Sequence, residues 1–120
     1  MILIVFFDGL RPDQVTEEAT PNLLRLARRG VRFDNHHAAF PTHTRVNVAS
    51  LVTGCYPWRH GLMNNLLFLP EVDPSWRINS GSHEDLRRLD ARLGGDMLLT
   101  RTLGEVLHGA GHTLAAIGVG

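Results

Sequence analysis

Ile2-Leu3-Ile4-Val5-Phe6-Phe7-Asp8-Gly9 follows the initial Met1. A continuous apolar run, rather than an alternating one, predicts a strand buried on both faces, as in a parallel sheet. Outward from it, Thr20-Pro21-Asn22 followed by Leu23, Leu24, Leu26 and Ala27 predicts a helix ending at Gly30. Thr20 would be its N-cap, Pro21 its first residue and Gly30 its C-cap. Val31-Arg32-Phe33 reads as a short strand leading through His36, His37 and Phe40 to Pro41. A second helix is expected from Thr44, turning Val48, Leu51 and Val52 inward and ending at Thr53-Gly54.

Residues 63 to 96 are interrupted by Pro70, Pro74, Gly81, Gly94 and Gly95, and only Glu84 to Leu93 looks helical. An excursion of this kind is expected to be a functional loop, so 63–99 is taken as an inserted loop or lid. Thr102 to His108 carries a helical stripe of Leu103, Val106 and Leu107. Thr113-Leu114-Ala115-Ala116-Ile117-Gly118-Val119 repeats the buried-strand pattern. Strand, helix, strand, helix is the alternation of an α/β fold. A sheet that closes on an apolar strand leaves one face uncovered, so residues 1–120 are expected to be the N-terminal portion of one larger domain.

Composition narrows the function. The 120 residues hold 43% hydrophobic and 20% charged side chains, ordinary globular usage. Twelve basic and twelve acidic residues cancel, so no basic patch invites nucleic acid. No apolar run approaches the ~18 residues of a membrane helix. The apolar start lacks the basic n-region and cleavage site of a signal peptide, from which a cytoplasmic location is expected. All the basic residues are arginine, which excludes a catalytic lysine within this stretch. A single cysteine, Cys55, excludes an internal disulfide.

Asp8 stands at the carboxyl end of the first predicted strand, where open α/β sheets gather ligands. It is a candidate hard metal ligand or a cap for the following turn. Thr44 lies at a helix start, whose partial positive charge favours an alkoxide or bound phosphate. Its hydroxyl needs a base or metal to become a nucleophile, and Thr42 and Thr44 also suit plain N-caps. Asn47, one turn on, is placed to hold a charged oxygen or to be a polar surface residue. His43 is either a substrate contact or a solvated loop residue. His36 and His37 are adjacent and would face opposite sides of a strand. His60 suits packing and hydrogen bonding better than ligation, while His83, His108 and His112 look peripheral. No pair has the His-x-x-x-His spacing of a helical zinc site.

Three ordered segments carry a family resemblance. They are Asp8-Gly9-Leu10-Arg11-Pro12-Asp13, then Thr20-Pro21-Asn22-Leu23 with Leu26-Ala27-Arg28-Arg29-Gly30-Val31. The third is Phe40-Pro41-Thr42-His43-Thr44-Arg45-Val46-Asn47, continuing through Leu51-Val52-Thr53-Gly54 to Tyr56-Pro57 and His60-Gly61. Together they resemble the alkaline phosphatase superfamily, specifically its type I phosphodiesterase and nucleotide pyrophosphatase branch. The resemblance implies a three-layer α/β sandwich with a mostly parallel central sheet.

It also implies a centre of two divalent metal ions, zinc by type, with Asp8 and Thr44 as ligands. Thr44 would attack phosphorus, Asn47 would hold a non-bridging oxygen, and a phosphothreonine intermediate would be hydrolysed by water. The substrate implied is a small phosphate ester or nucleotide. A phosphonate or phosphomonoester hydrolase, or a non-catalytic binding domain, is the alternative. The family's other ligands, two aspartates and three histidines, are expected beyond Gly120, so none of the seven histidines here is assigned to metal.

Cys55-Tyr56-Pro57-Trp58-Arg59 spells a sulfatase-like Cys-x-Pro-x-Arg. In sulfatases that cysteine precedes the Thr-Gly pair, at the place Thr44 holds relative to Gly54. Cys55 follows the pair and is read as structural.

Overall fold

The computed structural model describes residues 1–118. The chain divides into two compact units, Met1–His37 and the part from Ala38 onward.

In the first unit a 3-10 turn at Pro12–Gln14 precedes helix α1, Pro21–Arg29. Its boundaries agree with the sequence: Thr20 precedes the helix, Pro21 opens it and Gly30 follows it. The Thr20 hydroxyl does not cap the helix, however. It donates to the Gln14 carbonyl at 3.0 Å, tying the helix start to the preceding turn. Leu23, Leu24 and Ala27 are half-buried.

Ile2–Phe7 and Val31–Phe33 were expected as strands and carry no strand pairing. Ile2 is 91% and Phe7 54% exposed. A strand exists only where neighbours take up its backbone groups. Among the described residues no segment pairs with either run.

The second unit holds helices α2 (Thr44–Thr53), α3 (Pro57–His60), α4 (His83–Arg92) and α5 (Leu103–Gly109). Between α3 and α4 lies a hairpin of β1 (Leu66–Phe68) and β2 (Arg77–Asn79). The strands are antiparallel, pairing Leu66 with Asn79, Leu67 with Ile78 and Phe68 with Arg77. The broad α/β class is therefore right, although the one sheet among the described residues is two-stranded and antiparallel. Thr113–Gly118, expected as a strand, has none of the pairing of one, and Val119 lies outside the described residues.

α2 packs on α3 and α5, and α4 packs on β2. The buried hydrophobic core residues are Val46 and Ala49 of α2, Ile78 of β2 and Leu89 of α4. The buried face of α2 differs from the expected one: Val48 and Leu51 are exposed and Val52 only half-buried. Val46, Val48, Ala49, Leu51 and Val52 surround this helix, so its pattern alone selects no face; its packing on α3 and α5 does. Gly54 ends α2 and Gly61 ends α3, both left-handed, with φ of 65° and 86°. No helix among the described residues is long and apolar enough to cross a membrane.

Candidate functional site

Asp8 lies in the first unit, in a turn closed by the Leu10 N–H to the Phe7 carbonyl at 3.4 Å. Gly9 takes φ 72° there, a value open to glycine and strained for a side chain. The Asp-Gly pair is thus explained locally: the glycine permits the turn that carries the carboxylate.

Thr44 lies in the second unit as the first residue of α2. The N-cap is His43, with φ −84° and ψ 140°, and its side chain makes no capping bond. The Thr44 hydroxyl therefore sits in the first turn, where backbone N–H groups and the helix dipole favour negative charge. That electrostatic setting suits an attacking oxygen better than an internal position in the helix.

Asn47, one turn further, is half-buried. Its Oδ1 accepts the Ala39 N–H at 2.7 Å. Its Nδ2 lies 3.2 Å from the Ala39 carbonyl, 3.3 Å from that of Pro41 and 3.0 Å from that of His43. The amide expected to meet a substrate oxygen is engaged with the loop that leads into Thr44.

The Arg45 guanidinium reaches across to the turn between β2 and α4, 3.5 Å from Asn79 Oδ1. A Cβ placed on Gly81 would fall on that guanidinium, so the missing side chain makes room for it. The same turn is fixed by the Gly81 N–H to Asn79 Oδ1 at 2.9 Å and the Asn79 N–H to Asp85 Oδ2 at 2.8 Å. Ser82 caps α4 by accepting the Asp85 N–H. Nothing in the sequence pairs Arg45 with Gly81; their proximity is a product of the tertiary fold.

His60 is fully buried. Its Nδ1 accepts the Leu62 N–H at 3.2 Å, which places the ring proton on Nε2, 3.0 Å from Ser50 Oγ. Burial lowers its pKa below the ordinary 6.5. This is the packing and hydrogen-bonding residue the sequence suggested. Cys55 is half-buried, and its N–H is held by Thr53 Oγ1 at 3.3 Å.

Three buried side-chain atoms lack a hydrogen-bond partner among the described residues: His43 Nδ1, Asn65 Oδ1 and Thr100 Oγ1. His43 precedes Thr44 directly, so its ring nitrogen is an available polar contact beside the helix start. Asn65 carries no sequence signal that separates it from its neighbour Asn64.

Asp8 and Thr44 offer two oxygen donors, one in each unit. No group of three His, Cys, Asp or Glu side chains among the described residues is arranged to hold a metal ion. Zinc takes four ligands, so the described residues do not by themselves fit a zinc centre.

The family described as type I phosphodiesterase / nucleotide pyrophosphatase matches residues 2–119, and the chain belongs to it. The match runs through 63–99, which the quoted motifs leave uncovered. Among relatives, an uncharacterized pyrophosphatase/phosphodiesterase of Schizosaccharomyces pombe is 39% identical over 88 residues, covering 62% of this chain and 18% of that protein. A bis(5'-adenosyl)-triphosphatase of Xenopus laevis is 32% identical over 65% of this chain and 17% of its own length. Ectonucleotide pyrophosphatase/phosphodiesterase family member 1 of Homo sapiens is 30% identical over 65% of this chain and 9% of its own length. The alignments thus take in less than a fifth of each relative. No solved structure matches the chain.

Proposed function

We propose that this chain supplies the nucleophile-bearing part of a metal-dependent phosphodiesterase or nucleotide pyrophosphatase. The observation that carries the reading is the position of Thr44: the first residue of α2, in a chain that belongs to this family. The Thr44 hydroxyl, losing its proton to solvent, attacks phosphorus and displaces the first alcohol or phosphate leaving group. The resulting phosphothreonine ester is then cleaved by water, which releases the second product and restores the threonine. The N-terminal turn of α2 stabilises the negative charge that develops there. Asp8 and Thr44 would contribute to a centre of two divalent ions, taken as zinc, together with ligands that the described residues do not supply. Bound there, such ions would supply the positive charge that a threonine hydroxyl needs to ionise.

The fold reading extends in the same way. The exposed apolar residues of Ile2–Phe7, with Val31, Phe33 and Ile117, suit strands of a mostly parallel central sheet in a three-layer sandwich. Residues 63–99 are proposed to influence substrate choice, as the segment between the Thr44 region and α5. The relatives' names point to nucleotide or other phosphate-ester substrates.

The test is turnover of bis(p-nitrophenyl) and mono(p-nitrophenyl) phosphate by the full-length protein with zinc. Faster diester turnover, abolished by Thr44→Ala, is expected, with a p-nitrophenyl phosphoryl group from the diester found on Thr44 by mass spectrometry after acid quench. Faster monoester turnover would redirect the reading to a phosphomonoesterase. Undiminished activity of Thr44→Ala would overturn the nucleophile.

A further inference from the structure

Asn47 reaches back along the chain, and every polar atom of its side chain meets the segment that delivers Thr44. Oδ1 accepts from the Ala39 N–H at 2.7 Å, and Nδ2 faces the carbonyls of Ala39, Pro41 and His43 at 3.0 to 3.3 Å. A primary amide has two hydrogens. Three carbonyls already share them, so a substrate oxygen could be served only by opening the loop.

The pattern of contacts has a structural logic. Ala39 presents both its N–H and its C=O to one amide, the two-way pairing that a neighbouring strand would otherwise give. His43 is held by its backbone: its carbonyl accepts from both the Asn47 N–H and Nδ2, and its N–H donates to the Pro41 carbonyl at 2.8 Å. The residue before Thr44 is therefore fixed from both sides, once through the main chain and once through the Asn47 side chain.

We propose that Asn47 is a positioning residue that clamps Ala39–His43 and so sets where the Thr44 hydroxyl stands, without touching substrate. This rests on Thr44 being the nucleophile, as proposed above, and changes only the role of Asn47. A nucleophile displaced by a fraction of an ångström loses much of its rate, so the clamp acts on the chemical step.

Two measurements on the full-length protein test it. The first is hydrogen exchange at the Ala39 amide, whose acceptor is Asn47 Oδ1. Asn47→Ala should speed it at least ~10-fold while amides near the centre of α4 stay protected. The second is turnover of a phosphodiester and of its phosphorothioate analogue. Positioning predicts that Asn47→Ala lowers kcat for both by the same factor, on the order of 10²-fold. A direct contact with a non-bridging oxygen predicts unequal losses, because sulfur accepts the hydrogen bond less well.

Asn47→Asp keeps the size and the acceptor but cannot donate to the three carbonyls. It should show the same equal losses, and it covers the case in which the alanine variant does not fold. Unchanged exchange at Ala39, a shifted thio effect, or faster exchange with full turnover would each overturn the proposal. Retained turnover by Thr44→Ala would instead overturn the nucleophile reading, leaving the clamp itself to be judged by exchange at Ala39.

Discussion

The imidazole Nε2 of His60 lies 3.0 Å from the hydroxyl of Ser50, linking α3 to α2 inside the second unit. Nδ1 accepts the Leu62 N–H, so Nε2 is the donor and Ser50 Oγ the acceptor. A ring so arranged cannot take a proton from Ser50. The pair is a structural joint, even though serine beside histidine invites a catalytic reading.

Replacing either partner should therefore cost stability. Ser50→Ala leaves a buried N–H unpaired and is expected to destabilise by about 1–3 kcal/mol. His60→Ala, which also opens a cavity, should cost about 3 kcal/mol. Both are read by chemical denaturation. Any turnover of the folded fraction should be unchanged, since neither group is placed at Thr44.

The same histidine sets a pH dependence. Burial lowers its folded pKa below the unfolded 6.5, so the unfolded chain binds the proton more readily. The contribution of His60 is complete above pH 6.5 and lost as pH falls through the lowered folded value. Melting temperature should drop as pH is lowered below that point, and His60→Gln should flatten the drop. An unchanged slope in the variant would refute the assignment.

Gly61 and Gly81 should respond unequally to alanine. At Gly61, φ is 86° and the new Cβ would stand 3.0 Å from the Leu99 side chain, so strain and crowding add. A loss of about 1–2 kcal/mol is expected there. At Gly81 the backbone needs no glycine, and the obstacle is the mobile end of Arg45. Gly81→Ala should cost less than about 1 kcal/mol, and less still in an Arg45→Ala background. A double-mutant cycle measures the difference.

Asp73 organises the loop between β1 and β2. Ser75 Oγ donates to it at 2.7 Å and the Ser75 N–H at 3.0 Å, while Arg88 and Arg92 approach at 3.0 and 3.7 Å. These contacts hold its carboxyl below the usual carboxylate range, the Ser75 side-chain hydrogen bond foremost. Arg88 also lies over the Trp76 ring, 4.1 Å from its centre. Asp73→Asn should release Arg88 and expose Trp76, seen as a red shift in fluorescence. Trp58 is already 72% exposed and should contribute little to the change.

Thr102 and Glu105 form a reciprocal capping box at the start of α5. Thr102→Ala is expected to cost about 1 kcal/mol through loss of the cap. The Thr102 N–H and then its hydroxyl hold the Glu105 carboxyl below its ordinary 4.5. That half of the box is present above pH 4.5 and lost as pH falls below it, so the cost of Thr102→Ala should shrink in acid.

Helices α1, α2, α4 and α5 were legible because their signals are local, whereas the single turn of α3 was not anticipated. Pro21 and Gly30 bracket α1, Gly54 closes α2, and Thr102 opens α5 within a residue of the predicted boundaries. The hairpin was missed because Leu66–Phe68 and Arg77–Asn79 are short, lack clear alternation and lie among prolines. Of the candidate site, the placement of Thr44 at a helix start was readable from the apolar residues that follow it and the closing Gly54. The engagement of Asn47 with Ala39, Pro41 and His43 was not, because an asparagine one turn into a helix can face outward or fold back.

The sequence by itself determined the family, the boundaries of α1, α2, α4 and α5, and the turn chemistry that places Asp8 beside Gly9 and Thr44 at the head of α2. These depend on residues within a few positions of one another. The tertiary structure decided which face of α2 is buried, that Arg45 rests on Gly81, and that His60 donates to Ser50. It also showed Ile2–Phe7 exposed and unpaired among the described residues. Strand pairing and burial require partners distant along the chain, and an apolar run states only that it would accept them.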